Sequence, residues 1–449
     1  MFAFKSYLTK VRKSMGGGLV QLAAYGTQDV YLTSNPQITY FKAIYHRYSN
    51  FAMESIVQLI DGNISFGGNI TIVIARNGDL LGNIVVDAYL PDPMLYVSGS
   101  YDYFGYIQGV GNYLIKNVTI EIGGQQMDEH YGQWMDIWSE LTLEGSKLQG
   151  YGTMVGKNYS MATWQPYDVS YEPGNLVQVP LQFWFCRNPG LSIPLIALQF
   201  TDVKLKISFN TFDNLIVAVN NGNYVTPTFN GISPVLNANN NFRIWNTYYF
   251  LDTTERRKFA QNPHEYLIEQ VQSQSGNVQS LTQENNIRIN FNHLVKELVW
   301  VFTRNGTSSQ ENDFSIGTDI IPNGTPSQFA PLYNFKLMIN GTDRFKERKG
   351  ENFRLTENYT HHTRTPGAYI YTYSFALRPE EHQPSGTCNF SRIDTAQLWF
   401  YLRNRNASPG NLDSLPLQNY TELPTYTLYA PGYNILRIMG GMAGLAYAN

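Results

Sequence analysis

Two cysteines in 449 residues, Cys186 and Cys388, are too few and too far apart for a disulfide framework or a four-thiolate zinc site. A reducing compartment is the simplest setting for such a chain. Charge is scarce as well: 15% of residues are Asp, Glu, Lys or Arg, and the formal net charge is -3. That balance gives no extended basic surface for a phosphate backbone, so direct nucleic-acid binding is not expected. Long apolar runs are missing too. Nothing approaches the roughly 20 residues that span a bilayer, and the opening MFAFKSYLTKVRKSM lacks the unbroken apolar stretch of a secretory signal. A protein that is soluble and cytosolic when made is expected.

What is abundant points to β-structure. The chain carries 32 Tyr, 25 Phe, 37 Gly and 21 Pro, a mixture that suits many short strands joined by tight turns. At this length two domains of roughly 200 residues are the natural expectation. Strand signals bounded by Gly, Pro, Asn or Asp begin at Ile70, Ile84, Tyr113, Leu176 (LVQVPLQFWF) and Leu195. A second set begins at Phe242 (FRIWNTYYFL), Tyr266, Ile287, Lys296, Phe335, Tyr369 and Ala396. Between the sets, residues 219–241 are Asn-rich and broken by Gly and Pro, which reads as a connector. The expected division is an N-terminal arm over 1–27, a first domain over 28–240 and a second over 241–449.

Two helices stand out. Asn35 before Pro36 reads as an N-cap with proline at the first helical position, and Ile38, Phe41 and Tyr45 share one face, predicting a helix from Pro36 to about Tyr45. Trp134, Ile137, Trp138 and Leu141 recur at helical spacing and predict a helix that decorates the first domain with a core-facing stripe. The basic, partly apolar opening segment with Lys5, Lys10, Arg12 and Lys13 reads as an arm whose end frays or is processed, with a short amphipathic helix as the alternative.

The halves echo each other. A strand followed by a glycine turn occurs at Gly124 and again at Gly341, and Phe185, Pro189, Pro194 and Phe200 match Phe375, Pro379, Pro384 and Phe390 at a constant spacing of 190 residues. A duplicated domain explains both.

No constellation of catalytic type emerges. GYGTMVGKN from Gly150 has the wrong spacing for a phosphate-binding loop, and GYIQGVG from Gly105 lacks the spacing and context of a dinucleotide fingerprint. His361 and His362 are neighbours, which on a strand would face opposite ways and share no ligand. RPEEHQP from Arg378 gathers Glu380, Glu381 and His382 between prolines, as in a stiff exposed turn without a partner nucleophile. No catalytic, cofactor-binding or metal-binding residue is assigned, no cofactor is expected, and the chain reads as a non-enzyme. Of eleven Asn-x-Ser/Thr sequons, Asn305, Asn323, Asn340, Asn358 and Asn406 are candidate glycosylation sites.

At its two ends the text becomes specific. GGGLVQLAAYGTQDVYLTSNPQITYFKAIYHRYSNFAMESI from Gly16 resembles the N-terminal signature of the major capsid proteins of nucleocytoplasmic large DNA viruses, the double jelly-roll capsid protein family. NPHEYLIEQVQ from Asn262, HLVKELVWVF from His293, SFALRPEEHQPSGTCNFSRID from Ser374 and YNILRIMGGMAGLAYAN from Tyr433 extend the resemblance over both halves. The basic arm before Gly16 and the Pro431-Gly432 pair depart from the family pattern. The resemblance implies an all-β chain of two tandem eight-stranded jelly-roll sandwiches with short decorating helices. It further implies a homotrimeric, pseudo-hexagonal capsomer that tiles an icosahedral virion shell, meets neighbouring capsomers and minor capsid proteins beneath, and touches an inner viral membrane only indirectly. A minor or vertex capsid component of the same fold is the nearest alternative. More distant ones are a carbohydrate-binding double β-sandwich that would use exposed aromatics such as Trp134, Trp164, Trp184 and Trp245, and a hydrolase with a polar cleft.

Overall fold

A computed structural model of the chain describes residues 17–60, 64–158, 176–220, 223–232, 234–236, 242–281, 283–303, 314, 330–402 and 423–447. The chain forms two compact units, Met1–Ser49 and Asn50–Asn449.

In the described part of the smaller unit, short helices span Gly17–Ala23 and Val30–Thr33 and bury no residue. The helix expected from Pro36 to Tyr45 is absent: Asn35 takes a left-handed conformation with φ 52° instead of capping, and the following residues are irregular. Ile38, Phe41 and Tyr45 are all exposed. A ten-residue helix is marginal in water unless its apolar face packs, and within this unit the three side chains of that face stay exposed.

The larger unit holds two copies of one topology. In the first half, beside a small sheet of Tyr103–Tyr106, Ile216–Asn220 and Asn223–Tyr224, the sandwich strands are β1 (Phe51–Gln58), β2 (Asn69–Val73), β3 (Leu80–Tyr89), β4 (Ile115–Ile122), β5 (Gln125–Tyr131), β6 (Leu176–Pro180), β7 (Val203–Phe209) and β8 (Arg243–Leu251). They form two antiparallel sheets, ordered β1-β8-β3-β6 and β2-β7-β4-β5. In the second half, β9 (His264–Asn277), β10 (Asn285–Ile289), β11 (Glu297–Thr303), β12 (Leu332–Ile339), β13 (Thr342–Asp343), β14 (Tyr371–Ser374), β15 (Ala396–Leu402) and β16 (Thr425–Met439) repeat the pattern. Their sheets run β9-β16-β11-β14 and β10-β15-β12-β13. Strand for strand this is the same double-sheet jelly roll twice, with strand eight of each copy returning beside strand one.

Alternation explains the sandwich. In β7, Val203, Leu205, Ile207 and Phe209 point inward while Lys204 and Lys206 point out. β11 is buried along nearly its whole length and reads as a continuous apolar run, with Trp300 stacked on Phe335 at 4.3 Å. The glycine echo is structural: Gly124 and Gly341, at φ +81° and +76°, turn β4 into β5 and β12 into β13 where a side chain would be strained. The spacing of 190 falls in the segments that follow β6 and β14, each of which holds a short 3-10 turn, Leu195–Ala197 and Phe390–Arg392, though these begin 195 residues apart.

Three expectations need correction. FRIWNTYYFL, assigned to the second domain, is β8: it pairs β1 from Phe51↔Leu251 to Gln58↔Ile244 and β3 on its other side, so it completes the first jelly roll. The described part of the Asn-rich connector at 219–241 therefore belongs to the first half, where Asn223–Tyr224 pairs with the strand Ile216–Asn220. LVQVPLQFWF is not one strand, because β6 ends at Pro180 and Trp184–Arg187 turn into a short helix. Helix α1 (Gly132–Thr142) carries the predicted stripe, yet Trp134, Ile137, Trp138 and Leu141 join the core of the second jelly roll. Periodicity identified a core-facing helix but not whose core it faces.

Pro431 and Gly432 lie inside the long strand β16. There the neighbour changes from β11 to the short strand Leu294–Val295, so the missing proline N–H falls at a break in the ladder. A Cβ on Gly432 would sit 2.6 Å from the Leu294 carbonyl oxygen, which makes glycine the residue that permits this approach.

Candidate functional site

Since the chain builds two sandwiches, the surface that joins them carries the most unusual chemistry. β5, an edge strand of the first sandwich, meets β9, an edge strand of the second. The Gln270 amide donates to the Met127 carbonyl, and Val271 N–H donates to Asp128 at 3.0 Å. Ile268, Leu436 and Ile438 from the second half join the first core, while the tryptophans of α1 join the second. Trp134 lies against Tyr429 at 5.1 Å, and the Tyr429 hydroxyl donates to Gln133 at 2.8 Å.

Buried charges lace this seam. Glu269, in the middle of β9, accepts from Arg187 at 2.7 Å and from Lys296 at 2.9 Å, with His382 at 3.6 Å. Burial alone would raise the Glu269 carboxyl, but Arg187, His382 and Lys296 hold it well below the usual carboxylate range. Burial pulls the Lys296 ammonium down, against the attraction of Glu269. Its Nζ also donates to the Pro379 carbonyl at 2.8 Å. A second network joins Lys157 to Asp136 at 2.7 Å and Glu140 at 2.8 Å, and Glu140 in turn pairs with Arg364 across the seam. Burial raises the Asp136 carboxyl despite Lys157.

His362 spans two carboxylates, Glu297 at Nε2 and Glu380 at Nδ1, each 3.0 Å away. Burial opposes its charge, but the two glutamates push its pKa up to about 9. The carboxylates sit on opposite ring nitrogens, so the three groups do not converge on one point, and among the described residues no metal-holding group of three His, Cys, Asp or Glu side chains forms.

These contacts place each sequence candidate. His361 and His362 close the short helix Glu357–His361 and do not lie on a strand; His361 pairs loosely with Glu357 at 3.6 Å, and His362 is buried. In RPEEHQP only Glu381 is spent on the surface, paired with Arg378, whereas Glu380 and His382 reach into the seam. Glu380, His382, Arg187, Glu269, Trp138 and Trp184 line a cavity of about 430 Å³. Within it Glu269 faces Arg187 and His382, while Glu380 turns to His362 beyond the lining. Asn358 is fully buried and its Nδ2 donates to Arg354 and Ile370 carbonyls, so this sequon cannot present its amide to a sugar. Asn340 is exposed, on a left-handed turn, while Asn305, Asn323 and Asn406 lie outside the described residues. Trp134 and Trp184 are core residues, Trp245 is half-buried and donates to Asp87 at 2.7 Å, and Trp164 lies outside the described residues; the described three form no exposed sugar-stacking platform. The seam charges Arg187, Glu269, Lys296 and Arg364 carried a signal that sequence reading passed over: a glutamate in YLIEQVQ and a lysine beside VWVF interrupt apolar strands.

The arrangement is a joining surface. Two family models cover the larger unit almost completely: one described as major capsid protein N-terminus matches residues 39–252, and one described as large eukaryotic DNA virus major capsid protein matches 255–444. The chain is similar to the major capsid protein of Pyramimonas orientalis virus, 40% identical with 97% of this chain and 100% of the relative covered. It is equally similar, at 40% and the same coverage, to the major capsid protein of Paramecium bursaria Chlorella virus 1. Among solved structures, a quasi-atomic model of the PBCV-1 virus capsid matches with TM-score 0.74 and 35% identity over 92% of this chain and 100% of that one. The Faustovirus major capsid protein, at 13% identity and TM-score 0.66, shares the fold.

Proposed function

The chain belongs to the large eukaryotic DNA virus major capsid protein family, and from that premise we propose that three copies close into one pseudo-hexagonal capsomer of an icosahedral shell. The protein is a structural capsid protein of the virion, and its work is association. The observation that carries the proposal is the strand-for-strand duplication: one chain offers two like blocks, and three chains offer six. A head-to-tail ring closes with each chain using two different surfaces.

The domain division in this reading falls between Leu251 and His264, within the segment of the helix Thr253–Gln261, and is supported by β8 completing the first sheet and by the meeting of the family models at 252 and 255. Neighbouring capsomers, minor capsid proteins under the shell and, through them, an inner viral membrane are the expected partners; synthesis in the host cytoplasm fits a chain with two unpaired cysteines. Asn340 is the described sequon best placed for a glycan. Native mass spectrometry tests the proposal: a mass three times 51.1 kDa supports it, and a stable monomer at micromolar concentration contradicts it. Single-particle images of the same sample should show a six-lobed outline.

A further inference from the structure

We propose that the cavity in the seam is a binding site for a small carboxylate with an apolar body, held between the two jelly rolls of one chain. Its volume of about 430 Å³ lies in the range of sites that take small molecules. One wall comes from the first jelly roll, where Trp138 of α1 and Trp184 and Leu191 of the segment after β6 present carbon. The facing wall comes from the second: Glu269 of β9, with Glu380 and His382 of the segment after β14. Arg187 stands between them, its guanidinium 4.6 Å from the centre of the Trp138 ring and its terminal nitrogen on Glu269. The site belongs to a single chain and does not depend on three chains closing into a ring.

The polar groups of the wall decide the charge of the occupant. Both acids are saturated. Glu269 accepts from Arg187 on one oxygen and from Lys296 on the other. Glu380 accepts from His362, from the Thr363 N–H and from the Thr363 hydroxyl. A cationic ligand would have to displace partners already in place. Two donors of the wall are in the opposite condition: Trp184 Nε1–H and Arg187 Nε–H are buried and have no acceptor among the described residues. A buried donor is costly to leave unpaired, and an acceptor oxygen brought in by a ligand removes that cost. Around the cavity Arg187, Lys296 and His362 balance Glu269, Glu297 and Glu380, so a single negative charge meets no excess of its own sign.

The apolar wall decides the rest of the ligand. Trp138 and Trp184 are buried and Leu191 packs half-buried against the first core. A bare inorganic anion would leave this surface against water, whereas a ring or short chain carrying a carboxylate covers it. Because such a ligand touches α1 and the Trp184 segment on one side and β9 and the Glu380 segment on the other, it favours the joined arrangement of the two sandwiches and raises the unfolding temperature.

The test titrates the full chain with para-iodobenzoate by calorimetry, with para-iodobenzyl alcohol and inorganic phosphate as comparisons. One site per chain is expected for the carboxylate, and the two comparisons should bind about tenfold more weakly or worse. Crystals soaked in the same probe should show the iodine, by its anomalous scattering, inside the cavity beside Trp138 or Leu191. Leu191→Trp fills the cavity and is expected to abolish binding. Trp184→Phe removes one donor and keeps a ring, and is expected to weaken binding about fivefold. Circular dichroism and melting without the probe establish that each variant folds, and the wild-type titration and crystal decide the matter if Trp184→Phe does not. Absence of saturable binding at millimolar concentration overturns the proposal. Iodine found only elsewhere, or binding that Leu191→Trp leaves intact, means an adventitious additive only and overturns it equally. A monomeric wild type that binds the probe contradicts the trimer reading and leaves this site standing.

Discussion

β1 and β9 occupy the same position in two copies of one fold, yet they live in different surroundings. β9 buries the centre of its length, holds a glutamate between an arginine and a lysine, and passes its neighbours Ile268 and Gln270 to the other half of the molecule. β1 has eight paired residues on one side and exposed Phe51 and Met53. The difference teaches that burial here follows the joint a strand takes part in, not its place in the topology. A jelly roll of this kind is complete as a sandwich and incomplete as a surface.

The comparison is broken most severely by removing the charge at the centre of the covered strand. Glu269→Gln leaves Arg187 and Lys296 together without a counter-charge, and breaking a buried pair of this sort costs about 3 to 5 kcal/mol. Urea unfolding should show a loss of that order and a more accessible β9; an unchanged midpoint would mean that the network is not a structural tie. Trp134→Ala comes next. It empties a fully enclosed site shared by both halves and is expected to cost about 3 to 4 kcal/mol, and it should split a single unfolding transition into two, read by differential scanning calorimetry.

The pH dependence sharpens the same contrast. His362 is held charged by Glu297 and Glu380, with a folded pKa of about 9 above an ordinary value of 6.5. Its contribution, about 3 kcal/mol by linkage, is complete below pH 6.5 and is lost as pH rises through 9. Glu269, held below the ordinary carboxylate range, contributes in the opposite sense: its share is present above about pH 4.5 and disappears as pH falls. Stability measured from pH 5 to 10 should therefore fall on the alkaline side, and His362→Gln should flatten that limb. The smallest effect belongs to β1: Met53→Asp should change the stability of an isolated chain by less than about 0.5 kcal/mol, whereas Ile268→Asp on β9 should unfold it.

Much of this architecture was legible in the sequence, and the reasons for the remainder are specific. Alternation in the VKLKISF end of the strand expected from Leu195 and the glycine turns at Gly124 and Gly341 are local signals that match the structure, but β7 starts only at Val203, after a 3-10 turn at Leu195–Ala197. The allegiance of β8 was not local: FRIWNTYYFL follows a long polar loop, and only its pairing with β1, nearly 200 residues earlier, assigns it to the first half. The same holds for α1, whose tryptophans fit either core by periodicity. The helix expected over Pro36–Tyr45 had the right caps and spacing but lacked a partner for Phe41, and tertiary contact decides such short helices. Of the seam, RPEEHQP was noticed for its composition and read as an exposed turn; its inward half, Glu380 and His382, shows that prolines can stiffen a segment in order to aim charges into a joint.

The trimeric capsomer is tested most directly by native mass spectrometry of the purified full chain: a mass three times 51.1 kDa is predicted, and a chain that stays monomeric at micromolar concentration would contradict the account.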